Sequence, residues 1–155
     1  FGSVPQPAEW RKTQFKSNVS RSRAFILALA AAAPRNLPNG LNVDVQHALS
    51  AYNKKEYHHV YPRAYLKAIG EGDYSNVLGN IVMLTSLSNK AISDNPPSKY
   101  VPPLCASLGN NSDAVFASNL LPIPSLFDYE NATYTEFLAE RGKILTSHVT
   151  KLMLG

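Results

Sequence analysis

The chain has a single cysteine, Cys105, among 155 residues, so it can form no internal disulfide. That excludes a small disulfide-stapled scaffold and leads to the expectation of a reducing, cytoplasmic setting. Long hydrophobic runs are also lacking. The longest, Ala24 to Ala33, has ten residues between Arg23 and Pro34, well short of the ~20 needed to cross a bilayer. A buried helix is expected there, with no membrane partner. No signal-peptide pattern stands before it. The 8 glycines do not form a phosphate-binding loop, so these residues are not expected to hydrolyse nucleotide. Internal repeats, heptad arrays and low-complexity tracts are missing as well, which excludes solenoids and coiled coils.

What is present suits one core. Apolar residues make up 45% of the chain, and the length is that of a single domain, here taken as 1–155. The start at Phe1-Gly2-Ser3 leads to the expectation of a fragment of a longer protein. The formal charge is +4 with pI near 9.2, a balance that favours polyanionic partners without naming one. Basic residues gather at Arg11-Lys12, Lys16, Arg21, Arg23 and Arg35. A second group, Lys54-Lys55, Arg63, Lys67, Lys90 and Lys99, can line a phosphate track.

The local pattern is mostly helical. Ser20 is expected to cap a helix from about Arg21 to Ala33, stopped by Pro34, and Asn42 or Asp44 to begin a second. A helix from Ser98 is expected to be interrupted near Pro102-Pro103, with another around Asp113 to Asn119. Thr133 to Leu154 reads as a long closing helix with Tyr134, Phe137, Leu138, Ile144, Leu145, Val149 and Leu152 on its apolar face. Between these parts the character changes. Tyr57 to Val60 and Ile81 to Leu84 are short β-prone runs, and a helix from about Ser86 to Ser93 follows the second.

The first short run carries His58 and His59. Asn80 lies 18 residues after Pro62, and Asn89 nine after Asn80. One imidazole can take a proton from water near neutral pH, while a second and an amide oxygen can hold a divalent cation with coordination sites left open. Residues alternate faces along a regular strand, so the two rings are expected to have different jobs.

Glu56 to Pro62, Leu78 to Leu84, Ser88 to Asp94 and Pro97 to Tyr100 together resemble the C-terminal nuclease domain of the GmrSD family of modification-dependent restriction proteins. That domain lies within the HNH or His-Me finger nucleases. The flanking stretches Arg21 to Ala24 and Phe137 to Arg141 extend the likeness over most of the chain. The resemblance implies a mainly α fold with a small β-β-α motif among helices: support over 8–53, the motif over 56–94, and a helical C-terminal part over 97–154. It implies His59 as general base, His58 and Asn89 as metal ligands in an HNN variant, and Asn80 as the brace of the hairpin. Mg²⁺ is the cation implied, with Mn²⁺ as a substitute.

DNA is the implied substrate, with Arg63, Lys90, Ser98, Lys99 and Tyr100 as candidate contacts. Arg141 can serve there or in an internal ion pair. The family usually joins this nuclease to an N-terminal NTP-hydrolysing domain and acts in defence against phage or modified DNA. One departure stands out: the cysteine pairs that clamp zinc in many HNH proteins are absent, so helices must support the motif. A nucleic-acid binding module that has lost cleavage is the alternative.

Overall fold

Thr133 and Glu136 start the longest helix with a reciprocal cap. The Thr133 hydroxyl accepts from the Glu136 amide at 3.1 Å, and the Thr133 amide donates to Glu136 Oε1 at 3.0 Å. That helix is the backbone of a mainly helical fold, which the computed structural model describes for residues 1–16, 18–46, 49–50, 58–83 and 90–155. In chain order the elements are α1 (Pro7–Trp10), α2 (Ser20–Ala31), β1 (His58–His59), α3 (Arg63–Ala68), β2 (Ile81–Val82), α4 (Pro97–Leu108), α5 (Ser112–Ser118) and α6 (Tyr134–Leu154). Residues 45–46, 49–50 and 90–92 are also helical.

The strands are antiparallel, with His58 opposite Val82 and His59 opposite Ile81. Alternation along β2 sends its residues to two cores. Val82 joins a cluster with Tyr61, Leu66, Tyr100, Val101 and Phe137. Ile81 joins another with Trp10, Phe25, Leu78, Leu145 and Val149. The hairpin is therefore held on both faces, which at two residues per strand it needs.

Helix α6 serves both clusters. Tyr134, Phe137, Leu138, Arg141, Gly142, Leu145 and Val149 are buried along it at the spacing of one helical face. The expected face runs too far at the end, where Leu152 is 47% exposed. At Gly142 the crossing with α1 is so close that a Cβ would lie 2.5 Å from the Pro7 carbonyl oxygen. Trp10 Nε1 then donates to Thr146 Oγ1 at 2.9 Å, and Thr146 Oγ1 donates to Pro5 O at 2.7 Å.

Three local expectations are corrected. Ser20 is the first residue of α2 rather than its cap; Val19 holds the capping position, and no side chain caps it. The helix stops at Ala31, and Ala33, before Pro34, has left the helical conformation with φ +54°. Helix α4 runs through Pro102 and Pro103 without a break. The amide bonds those prolines cannot make would go to the Ser98 and Lys99 carbonyls on the outer side. The inner side, Pro97, Tyr100, Val101, Leu104 and Leu108, carries the helix by burial.

Arg141 is corrected too. It is fully buried, and every partner described for it is a backbone carbonyl rather than a carboxylate. Burial pushes its pKa down to about 9, opposed by Tyr129, Tyr134 and Tyr100, so it stays a cation near neutrality.

Candidate functional site

The strand that carries the histidines ends at His59, and Pro62, three residues on, stands at the cap of α3 and leads into it at Arg63. Asn80 fixes this exit. Its Oδ1 accepts from the Tyr61 amide at 2.8 Å, and its Nδ2 donates to Tyr61 O at 3.0 Å and to Ser75 O at 2.9 Å. Its own carbonyl accepts from the Val60 amide at 2.9 Å. With Asn80 wholly buried, these bonds have no competition from water. Asn80 thus acts on the backbone after His59 rather than on anything in the cleft.

An open cleft of about 280 Å³ is lined by His58, His59, Pro62, Arg63, Ala64, Ser93 and Asp94. Both imidazoles border it although the strand alternates, because β1 ends at His59 and the chain turns away at Pro62. Ser93 takes φ +49° directly after helical residues 90–92, ending that helix so that Asp94 reaches the cleft. Arg63 places a guanidinium beside the imidazoles.

His59 is half-buried, and its Nε2 lies 3.1 Å from Asn76 Oδ1. The Asn76 amide is itself oriented, since its Nδ2 donates to Phe15 O at 2.7 Å. That commitment leaves Oδ1 as the acceptor, so the ring carries its proton on Nε2 and its lone pair on Nδ1. Burial lowers the His59 pKa, the Asn76 bond raises it, and the charges of Arg63 and His58 lower it further. The net direction is down, and the ring is neutral at pH 7.

The expected residues divide by place. His58, His59 and Arg63 meet at the cleft, and Asn80 lies in the wall behind it. Lys90 is exposed, and Ser98 and Lys99 sit on the first turn of α4, outside the lining. Tyr100 is not a DNA contact: it is 5% exposed, and its hydroxyl donates to Val60 O at 2.7 Å, where it supports β1 from the core. Asn89 and His47 lie outside the described residues. His148 Nε2 lies 2.8 Å from Ala28 O and ties α6 to α2. Cys105 is half-buried, and burial raises its thiol pKa, away from thiolate chemistry.

Asn76 and Asp94 are the additions. Nothing local marks Asn76, whose position depends on Phe15, 61 residues away. Asp94 stood at the end of a recognised motif without a role. The donor set of the cleft, imidazole nitrogen and carboxylate oxygen, suits a divalent cation that keeps several waters. Among the described residues no group of three or more His, Cys, Asp or Glu side chains is gathered for a metal, so the fit is to a site with few protein ligands. A larger cleft of about 800 Å³, bordered by Val101, Cys105, Asp113 and Phe127, has neither histidine in its lining. None of the described helices is long and apolar enough to cross a membrane. In comparisons with protein-family models, with curated proteins and with solved structures, nothing matched the chain.

Proposed function

We propose that the chain is a metal-dependent DNA endonuclease that hydrolyses phosphodiester bonds from a β-β-α motif of the His-Me finger kind. The observation that carries this reading is the oriented, neutral His59 at a cleft it shares with His58, Arg63 and Asp94. An imidazole of that kind is a competent general base near pH 7.

The His59 imidazole takes a proton from water as the water oxygen forms its bond to the scissile phosphorus. The bond to the 3′ oxygen breaks, and that oxygen takes a proton from solvent, leaving a 5′-phosphate and a 3′-hydroxyl. Asn76 keeps the Nε2 proton in place and the ring in one orientation. Arg63 pairs with phosphate oxygens, and Lys90, Ser98 and Lys99 contact DNA beyond the cleft. His58 and Asp94, with Asn89 as the resemblance implies, would hold Mg²⁺ or Mn²⁺. When bound, that cation would offset the negative charge that develops on the phosphate and the leaving oxygen. The resemblance extends the proposal to a cytoplasmic restriction role against phage or modified DNA, with an N-terminal NTP-hydrolysing domain as partner.

Supercoiled plasmid incubated with the protein and Mg²⁺ or Mn²⁺ tests the reading. Nicking or linearisation is expected, falling roughly 100-fold or more in His59→Ala while DNA affinity is kept. DNA binding without cleavage under either cation would favour the binding module. Cleavage that survives His59→Ala would remove His59 from the mechanism.

A further inference from the structure

We infer that Arg141 is a positioning residue of this site: its buried guanidinium fixes the turn that carries Asn80, and through Asn80 the end of the histidine strand. The inference deepens the nuclease reading and, for its effect on cleavage, rests on it.

The bonds converge on one short segment. Arg141 NH1 donates to Gly79 O at 2.9 Å and to Ile81 O at 2.5 Å, the carbonyls on either side of Asn80. Its Nε donates to Leu120 O at 3.2 Å, and NH2 to Asn119 O at 3.4 Å. Those last two residues close α5, where Leu120 takes φ +56°. One planar group thus joins the turn before β2 to the end of α5, with α6 as its support. A guanidinium suits this task because its donors leave in a fixed fork, whereas an ammonium is a single point.

The next links are equally short. Gly79 and Ile81 can be held only with Asn80 between them, and the Asn80 amide takes both the N–H and the C=O of Tyr61. The Asn80 carbonyl takes the Val60 amide. Tyr61 and Val60 are the residues that follow His59, so the orientation of Asn80 sets where β1 leaves the sheet. Space at the turn is tight: a Cβ on Gly79 would meet Leu138 Cδ2 at 3.0 Å and Trp10 O at 3.2 Å. Leu138 and Trp10 leave little room for the turn to move toward them, and a shift away would lengthen the Arg141 bonds. A carboxylate partner would supply charge balance but not this geometry, since the groups to be held are carbonyls on two separate segments.

The test compares Arg141→Lys and Arg141→Met with Leu145→Ala, which removes buried volume one turn further along the same helix, from the core that Leu78 and Ile81 share, without removing a hydrogen bond to the turn. Steady-state cleavage is measured well below each variant's melting temperature. The Arg141 variants are expected to lose roughly tenfold or more in kcat with KM within about twofold, and Leu145→Ala to keep the parental kcat. Parental kcat in a folded Arg141 variant would overturn the inference. So would an equal loss in Leu145→Ala at a matched drop in melting temperature.

Hydrogen exchange in the unmodified protein judges it if substitution at 141 prevents folding. The Arg141 Nε–H and the Tyr61 amide are expected to exchange through one opening with the same denaturant dependence. A Tyr61 amide that opens separately, at lower cost, would sink the inference. If the parent cleaves no DNA, the nuclease reading fails while the exchange result still decides whether Arg141 and the strand exit act as one unit.

Discussion

His59 has an environment that sets both its charge and its direction, and each can be moved by one substitution. Burial lowers its pKa from the ordinary 6.5, so as pH falls the ring stays neutral to a lower value than an exposed histidine would. Cleavage that uses the neutral ring is expected to show an acid limb with its midpoint below pH 6.5, activity being present above it and lost as pH falls through it. Asn76→Asp places a carboxylate where the amide oxygen was, favours the protonated ring, and should move that limb to higher pH. Asn76→Ala removes a bond that raises the pKa, so the limb should move lower, while kcat falls because the ring is no longer held. Rate–pH profiles of the three proteins check this, and a limb that is the same in all three would disconnect Asn76 from catalysis. The spacing of the histidines and Asn80 was legible in the sequence, and the structure brings His58, His59 and Arg63 to one cleft with Asn80 behind it. Asn76 was not legible, because its meaning comes from Phe15, far away in the chain. Tyr100 misled for a related reason: a tyrosine beside Lys99 looks like a phosphate contact until its hydroxyl is found under β1.

A hairpin of two paired residues per strand is too short to stand on its own ladder, so the element depends on side-chain bonds that a longer sheet would not need. Asn80→Leu keeps the size but leaves the Tyr61 amide, the Tyr61 carbonyl and the Ser75 carbonyl without their buried partner. At about 1 kcal/mol or more for each buried group left unpaired, the loss should be about 3 kcal/mol or more. A thermal melt should show it as a fall of roughly 6–12 °C for a domain of this size. A melting temperature within a degree or two of the parent would mean that the hairpin is held by packing alone. Helices were easier to foresee than this hairpin. Helix α6 announces itself by an apolar face, of which Tyr134, Phe137, Leu138, Leu145 and Val149 are buried, and α5 came out close to its expected limits. The short α1 and α3 carry too few residues for a period to show and exist because tertiary contacts hold them. In α4 the prolines suggested a break, and burial of the opposite face outweighed them.

Across the whole molecule, the N-terminal segment and the last helix are coupled to the cleft by bonds that span most of the chain. Residues 13–15 bind the segment that carries Asn76: Leu78 N donates to Thr13 O at 2.9 Å, and Phe15 N to Asn76 O at 2.7 Å. The same N-terminal segment lies on α6 through Trp10 and through the close crossing at Gly142. Gly142→Ala is the smallest change that acts on this crossing. Its new Cβ would face the Pro7 carbonyl at 2.5 Å and the Pro7 carbonyl carbon at 3.2 Å, backbone atoms that cannot rotate aside. Alanine favours the helix itself by up to about 1 kcal/mol over glycine, so local propensity alone predicts stabilisation. The overlap has the opposite sign, and forcing a methyl into packed backbone costs about 1–3 kcal/mol or more. The clash should win, and Gly142→Ala should be less stable than the parent in urea or guanidinium unfolding, with its midpoint shifted down. Because α1 leads directly into the segment that holds Asn76, the same variant should lose part of its cleavage rate at temperatures where it is still folded. A Ser147→Ala control, on the same helix away from this crossing, should change neither. A Gly142→Ala protein with a raised midpoint would show that α1 can slide along α6 without cost, and the coupling from the N-terminus to His59 would then have to run through Phe15 and Asn76 alone.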